Sequence, residues 1–408
     1  MKLLWQAWYK DEEIEVAFPP SWEVERVQMA DAPPATLEAL AEKMQQPIGA
    51  PRLKELAAGK QKAVVVVEDI TRPSALEPIL LLMVKEIIAG GVTPENITFI
   101  VGLGAHTPMR LHELEMKLGR EIVRNYRLYQ NHAHENQAYL GETTRGTPIY
   151  INRFFLEADF RVSAGTIVPH GLAGFAGGVK TVAVGMAGIK TLHANHQLAY
   201  KLDHSMAGRI TGNELRADLE EIGRLVNHHF AVNTIVNSRR ELVGLFAGDP
   251  IEAHRAGVRF AHSVYKTHIP RRTDIAFFNA YPKDTDLIQL VNSMNAVARD
   301  FRRVLNQDGT PVLMTACTHG AGIHYLTSAG MPAHSKMARE KFHLGRHGII
   351  IYSPNLSYSD IHHYPDDTHL YNEWADVISE LKRRHGDRAS ATVFPNGALQ
   401  IPDDIPPE

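Results

Sequence analysis

The 408-residue chain contains a single cysteine, Cys317, which excludes an intrachain disulfide framework and any paired-cysteine zinc site. It also lacks a basic surplus. Lys and Arg number 43 against 46 Asp and Glu, a formal charge of -3, so there is no cationic excess to neutralise a nucleic-acid backbone. No apolar run is long enough for a membrane span. The opening MKLLWQAWYKDEEIE breaks at Gln6 and turns charged at Lys10, too short for a signal-peptide core. Low-complexity tracts and short-period repeats are missing as well. Neither a nucleic acid nor a membrane is expected as a partner, and the cytoplasm is the expected compartment.

What is present is 44% hydrophobic and 22% charged sequence, enough for a large core and too long for one ordinary domain. Histidine is the unusual number, at 22. It serves as both metal ligand and proton carrier near neutral pH.

The Val-rich run Ala63 to Glu68 reads as a strand buried on both faces of a parallel sheet. A helical pattern follows from Leu76 to Ala89, and Asn96 to Val101 reads as a second strand. In such a βαβ unit the loops 69–74 and 102–109 lie side by side at the strand ends where open α/β sheets bind ligands, so Asp69, Arg72 and His106 are expected neighbours. A third strand near Phe160 to Ala164 opens the Gly-dense stretch 165–188, and Asn213 to Asn227 is helical and charge-alternating. After the polar crossing 263–273, a second α/β series begins: a strand from Asp274, a helix over Leu287 to Leu305, a strand at 310–315, a strand from Gly348 and a helix near Glu373 to Arg384. The expected fold class is α/β, with two α/β domains, mostly parallel sheets and an interdomain cleft. The boundaries are 1–262, 263–398 and a tail of 399–408 expected to be extended or disordered.

Each candidate motif has a bland alternative. Gly102-Leu103-Gly104 follows a strand, but no third glycine completes a dinucleotide fingerprint. The stretch 174–180, with Gly177, Gly178 and Lys180, has features of a phosphate-binding loop, or is a flexible loop with a surface lysine. His193 and His196 stand at i, i+3, on one face of a helix, as a metal pair or as ordinary surface histidines. His132, His134, His362 and His363 are taken as surface or structural, and Cys317 as a small buried apolar residue. Arg72 either grips a carboxylate or phosphate or pairs with Asp69.

Taken together, the segments D-I-T-R-P at 69–73, G-A-H at 104–106, P-H-G-L-A-G-F-A-G-G-V-K at 169–180 and N-H at 195–196 resemble the lactate racemase family. His170 and Lys180 are ten apart, and Lys180 and His196 sixteen apart, as in that family. The resemblance implies a nickel-pincer nucleotide, a pyridinium-3-thioamide-5-thiocarboxylic acid mononucleotide, joined covalently to Lys180 and carrying Ni(II) with His196 as ligand. Imidazole with soft sulfur donors in a square-planar set suits Ni(II). Asp69, Gly177 and Gly178 fall in the implied cofactor site. The implied reaction inverts C2 of a 2-hydroxy acid by hydride transfer, with His106 and His170 as the two bases and Arg72 holding the carboxylate. Proteins that build the cofactor are the implied partners.

The resemblance changes after residue 280. Gln289 is kept where family members bind substrate, but Ile288 replaces a tyrosine and Asn292 a lysine, so a 2-hydroxy acid other than lactate is as well accommodated. Tyr352 lies in the region of the family's pocket aromatic. Two other readings stay open: a dehydrogenase using a free nicotinamide cofactor, and a non-catalytic protein that binds nickel or the nucleotide.

Overall fold

The computed structural model describes residues 1–201, 206–327, 348–362 and 364–406; His363 lies outside the described residues. The chain divides into two compact units, Ala32–Val168 with Leu172–His262, and Met1–Asp31 with Pro169–Gly171 and Ser263–Pro406.

The first unit is built on a six-stranded sheet in the order Leu242–Gly248, Phe230–Val236, Phe160–Thr166, Ala63–Glu68, Ile97–Gly102, Arg127–Gln130. All pairs are parallel except the first, which is antiparallel. The run Ala63–Glu68 is buried along its whole length because sheet neighbours and covering helices enclose both faces. The chain starts in the middle of this sheet, adds strands toward one edge, and returns at Phe160–Thr166 to build the other. The reversal falls between Ala63–Glu68 and Phe160–Thr166, the switch point at which open α/β sheets form a crevice beyond the strand ends.

The second unit carries another six-stranded sheet, all parallel, in the order His369–Tyr371, Ile350–Tyr352, Leu305–Met314, Thr273–Asn279, Ser390–Phe394, Glu23–Arg26. Alternation along Thr273–Asn279 sends Ile275 and Phe277 to one core with Trp5 and Trp22, and Ala276 and Phe278 to the other with Leu287, Leu290 and Met294.

Two features differ from the sequence expectations. Residues 1–31 lie in the C-terminal unit, because the charged edge strand Glu23–Arg26 pairs with Ser390–Phe394, a contact across the length of the chain that leaves no local signal. The helix expected over 287–305 is instead a 3-10 helix Leu287–Val297 followed by a short turn Phe301–Arg303. Within it Asn292 Nδ2 and Ser293 Oγ donate to the carbonyls of Gln289 and Leu290, and Ala298 and Arg299 then take positive φ, which ends the element. The tail is ordered where Ile401–Pro402 pairs with Lys266–Thr267. Among the described residues no helix is long and apolar enough to cross a membrane.

A buried ion pair closes the end of the central strand. Lys117 is fully buried, and its Nζ donates to Glu68 Oε1 at 2.7 Å and to the carbonyls of Arg72 and Ser74 at 2.9 and 2.8 Å. Burial lowers the Lys117 pKa, and the Glu68 carboxylate opposes that shift. Removing one partner strands the other charge in the interior, so Lys117→Met should destabilise the protein by about 3–5 kcal/mol. Lys117→Met combined with Glu68→Gln should recover most of that loss. Urea unfolding of the two variants tests this, and an equal loss in both would show that the pair is not what matters.

Candidate active site

The segment after the central strand turns immediately, and its first residue organises the site. Asp69 is buried, with Oδ1 accepting from the Thr71 backbone N–H at 2.9 Å and from the Thr71 hydroxyl, and Oδ2 accepting from His106 Nδ1 at 2.6 Å. Burial pushes its carboxyl up, but the His106 contact, the Arg72 charge and the Thr71 hydroxyl outweigh it and hold the group well below the ordinary carboxylate range. An ionised Asp69 therefore accepts a hydrogen bond from His106 Nδ1–H, which leaves Nε2 as the ring nitrogen turned away from it. Arg72 Nη1 donates to the Thr71 hydroxyl at 3.1 Å. Its direct partner is thus Thr71, and Thr71 connects it to Asp69.

Lys180 begins a short helix, Lys180–Ala183, set against the strand ends. The close approach needs Gly102 and Gly185, since a Cβ on Gly102 would lie 3.0 Å from Gly185 Cα and from the Thr181 carbonyl. Burial, followed by the charges of Arg72 and Arg216, lowers the Lys180 pKa to about 7, against the pull of Asp69 and Glu68. A lysine in this state has a large neutral fraction at neutral pH and is a competent nucleophile.

His196 stands on helix Ile189–Tyr200, with Nδ1 donating to the Leu192 carbonyl at 2.7 Å, which directs its Nε2 lone pair to act as acceptor or ligand. Burial lowers its pKa to about 4, with Lys180, His106 and His193 adding in the same direction. The ring is therefore neutral at pH 7, as a metal ligand must be. His193 interacts with Gln197 Nε2 at 3.3 Å. Among the described residues no group of three or more His, Cys, Asp or Glu side chains could hold a metal, so a metal at His196 would need donors from outside the protein.

The structure therefore brings Asp69, Arg72, His106, Lys180 and His196 within reach of one another's charge. The two glycines before Lys180 have another part. Both take positive φ, and the Gly178 N–H is bound by Asn233 Oδ1 at 2.7 Å, so it is committed to the protein. A Cβ at Gly178 would also strike the His254 ring at 2.8 Å.

The remaining sequence-selected residues sit in the C-terminal unit. His170 lies beside Pro169, whose carbonyl accepts from the buried Lys283 Nζ at 2.9 Å. Gln289 and Asn292 are buried and mutually engaged, Asn292 Nδ2 donating to Gln289 Oε1 at 3.1 Å, while Ile288 is half-buried. Tyr352 does not join them. Its ring packs 5.9 Å from Trp5 and 5.4 Å from Trp374, in the core with Phe277, whereas Leu287 and Leu290 belong to the opposite core. Cys317 is buried and its thiol pKa is raised by burial, in keeping with a packing role.

Sequence reasoning missed Lys117, Lys283, Arg216 and His254. Lys117 and Arg216 sit in helices whose charge patterns look solvated, and a buried position in such a pattern leaves no periodic signal. Lys283 stands in the stretch just after residue 280, where no lysine was given a part.

Residues 9–208 match the lactate racemase N-terminal domain family. A lactate racemase of Thermoanaerobacterium thermosaccharolyticum is 29% identical over 284 residues, 68% of this chain and 65% of the relative. One from Lactiplantibacillus plantarum is 27% identical over 390 residues, 88% of this chain and 89% of the relative. The chain thus spans just under two thirds of the first relative and most of the second. The structure of the lactate racemase apoprotein from T. thermosaccharolyticum superposes with a TM-score of 0.78 at 22% identity, covering 98% of this chain and 99% of that one. A Thermotoga maritima protein gives 0.67 at 16% identity, covering 90% and 98%. These structural likenesses show the fold, a mixed α/β architecture with mostly parallel sheets.

The Lys180 environment gives a direct test in the adduct-free protein. Its amine should react with an acylating reagent with a midpoint near pH 7, well below the other lysines. Arg72→Ala removes a like charge and should raise that midpoint. Site-resolved mass spectrometry across pH reads both, and a Lys180 midpoint near 10 would refute the assignment.

Proposed function

The chain belongs to the lactate racemase family, and on that basis we propose that it is a racemase or epimerase that inverts C2 of a 2-hydroxy acid, using a nickel-pincer nucleotide bound covalently at Lys180. The observation that carries this reading is the combination of a lysine lowered to about 7 with a neutral His196 whose tautomer presents Nε2. Lys180 fits covalent attachment because its amine is a nucleophile at neutral pH, and His196 fits a single protein ligand to a metal otherwise held by the nucleotide. When bound, that group supplies reversible hydride transfer at C2.

The chain's own residues supply the rest. Arg72, steadied by Thr71, holds the substrate carboxylate. His106 accepts the hydroxyl proton at Nε2, while the ionised Asp69 fixes its tautomer and stabilises the imidazolium. His170 serves as base for the opposite enantiomer, and Lys283 positions the segment that carries it through the Pro169 carbonyl. Gln289 and Asn292 form a neutral amide pair, and Ile288 adds an apolar surface. A wall of that kind suits a 2-hydroxy monocarboxylate larger than lactate better than a dicarboxylate that needs a second cation. Cofactor-building enzymes are the partners this reading requires.

Protein made together with those enzymes should carry a covalent adduct and about one nickel per chain, the single-site expectation for one histidine ligand. Lys180→Ala should lack the adduct by intact mass. His196→Ala should keep the adduct and lose most of the nickel, and His193→Ala should retain both. His106→Ala should cut racemisation by about 10²–10⁴-fold, the usual span for loss of an acid–base group. An unchanged adduct in Lys180→Ala would remove the basis of this reading. In a substrate panel, malate as the best substrate would overturn the monocarboxylate preference, as would lactate turnover insensitive to Asn292→Lys.

A further inference from the structure

The first unit holds a cavity of about 770 Å³ lined by Arg145, Asn213, Arg216, Glu220, Arg255 and Arg259 among others. The proposed reaction gives it no task. It lies at the start of the twelve-residue helix Glu214–Leu225, where the Asn213 side chain caps the Arg216 N–H at 3.0 Å.

Arg216 is the unusual member. Only 2% of it is exposed, and its Nη2 lies against both ring nitrogens of His254, 2.9 Å from Nδ1 and closer still to Nε2, while Nε and Nη1 are buried without a hydrogen-bond partner. His254 is buried and its pKa lies well below the ordinary value, so the ring is neutral and can accept from Arg216, and its Nε2 also lies 2.9 Å from the Ala176 carbonyl. The arginine is therefore anchored on one side and left with donors on the other. Buried guanidinium nitrogens without acceptors are uncommon because desolvating them is costly, and an oxyanion is the group that relieves the cost.

The surroundings specify the charge. Four arginines line the cavity against two carboxylates, Glu214 and Glu220, and Glu220 is already bound by Arg255 at 2.9 Å. Arg145 also lies 3.9 Å from Glu221, and the remaining excess of cations favours an anion. A free ion would leave most of the volume empty, whereas an esterified phosphate brings a body to fill it. We propose that this cavity binds the phosphate of a phosphomonoester, with its oxygens accepting from the unpaired nitrogens of Arg216 and the rim arginines completing the charge balance.

Two sources share this chemistry. One is the phosphate of a nucleotide attached at Lys180, which rests on the function proposed above. Helix Glu214–Leu225 packs against that loop so closely that a Cβ on Gly223 would meet Val179 at 2.8 Å, and the committed Gly178 N–H leaves the loop without that donor for a phosphate. The other is a free phosphomonoester.

The test uses the full chain made without the cofactor enzymes, titrated calorimetrically with nicotinic acid mononucleotide and with inorganic phosphate, with chloride at equal ionic strength as control. Both probes should bind saturably, and Arg216→Met should weaken them at least ten-fold. Arg255→Ser with Arg259→Ser, on the exposed rim, should weaken them similarly while the thermal transition stays in place. Absence of saturable binding in the wild type, or undiminished binding in the rim variant, would overturn the site. On adduct-bearing protein, lost binding assigns the cavity to the attached nucleotide, and retained binding assigns it to a free ligand. Because the first titration needs no adduct, failure of the covalent reading and failure of this site are separate results.

Discussion

Two carboxylates at the end of a fully buried strand are the constraint on which the site depends. Glu68 and Asp69 follow four valines, and neither can remain ionised there without compensation. Their two side chains take different partners. Glu68 accepts from Lys117 and from the Thr166 backbone N–H, which locks the strand end and its neighbour together. Lys117 also binds the carbonyls of Arg72 and Ser74, so the loop bearing Arg72 is shaped by a cation that never reaches solvent. Asp69 is left to His106 and Thr71, and its ionisation determines which His106 nitrogen carries the proton.

The cations around this centre act on one another as well. Arg72 and Arg216 lower the pKa of Lys180, and Lys180 in turn helps to keep His196 neutral. Removing Arg72 would thus affect more than carboxylate binding, because it would leave Lys180 more protonated and less nucleophilic. A single electrostatic arrangement leaves the amine partly neutral and the imidazole neutral, the states that the proposed covalent attachment and metal ligation would require.

The sequence disclosed much of this through short-range signals. A valine run, a helical stretch and a second strand were enough to place Asp69, Arg72 and His106 at one sheet edge, because a βαβ unit has one common geometry. The His193–His196 spacing placed both rings on one helix, but only the Leu192 contact distinguishes the ligand from its neighbour. Long-range pairing was not legible. Glu23–Arg26 reads as charged surface until Ser390–Phe394 is beside it, and the break at Ala298 depends on side chains that take over backbone hydrogen bonding. The face that Tyr352 presents was not legible either, because it depends on register with a sheet assembled from distant segments.

Exchange of Asn292 for the family lysine also has a structural logic. Asn292 Nδ2 is committed to the Gln289 carbonyl and side chain, both buried on the 3-10 turn, so the pair is internally satisfied and neutral. A lysine at that position would bring a charge into a buried setting, at a desolvation cost that a carboxylate partner would have to offset. The nearby Lys283 has already met this requirement by donating to Pro169 and becoming part of the scaffold. The C-terminal unit therefore keeps a buried lysine at 283 for architecture and carries a neutral amide at 292. In the proposed function, a neutral amide at this position would rest discrimination on shape and hydrogen bonding rather than on charge.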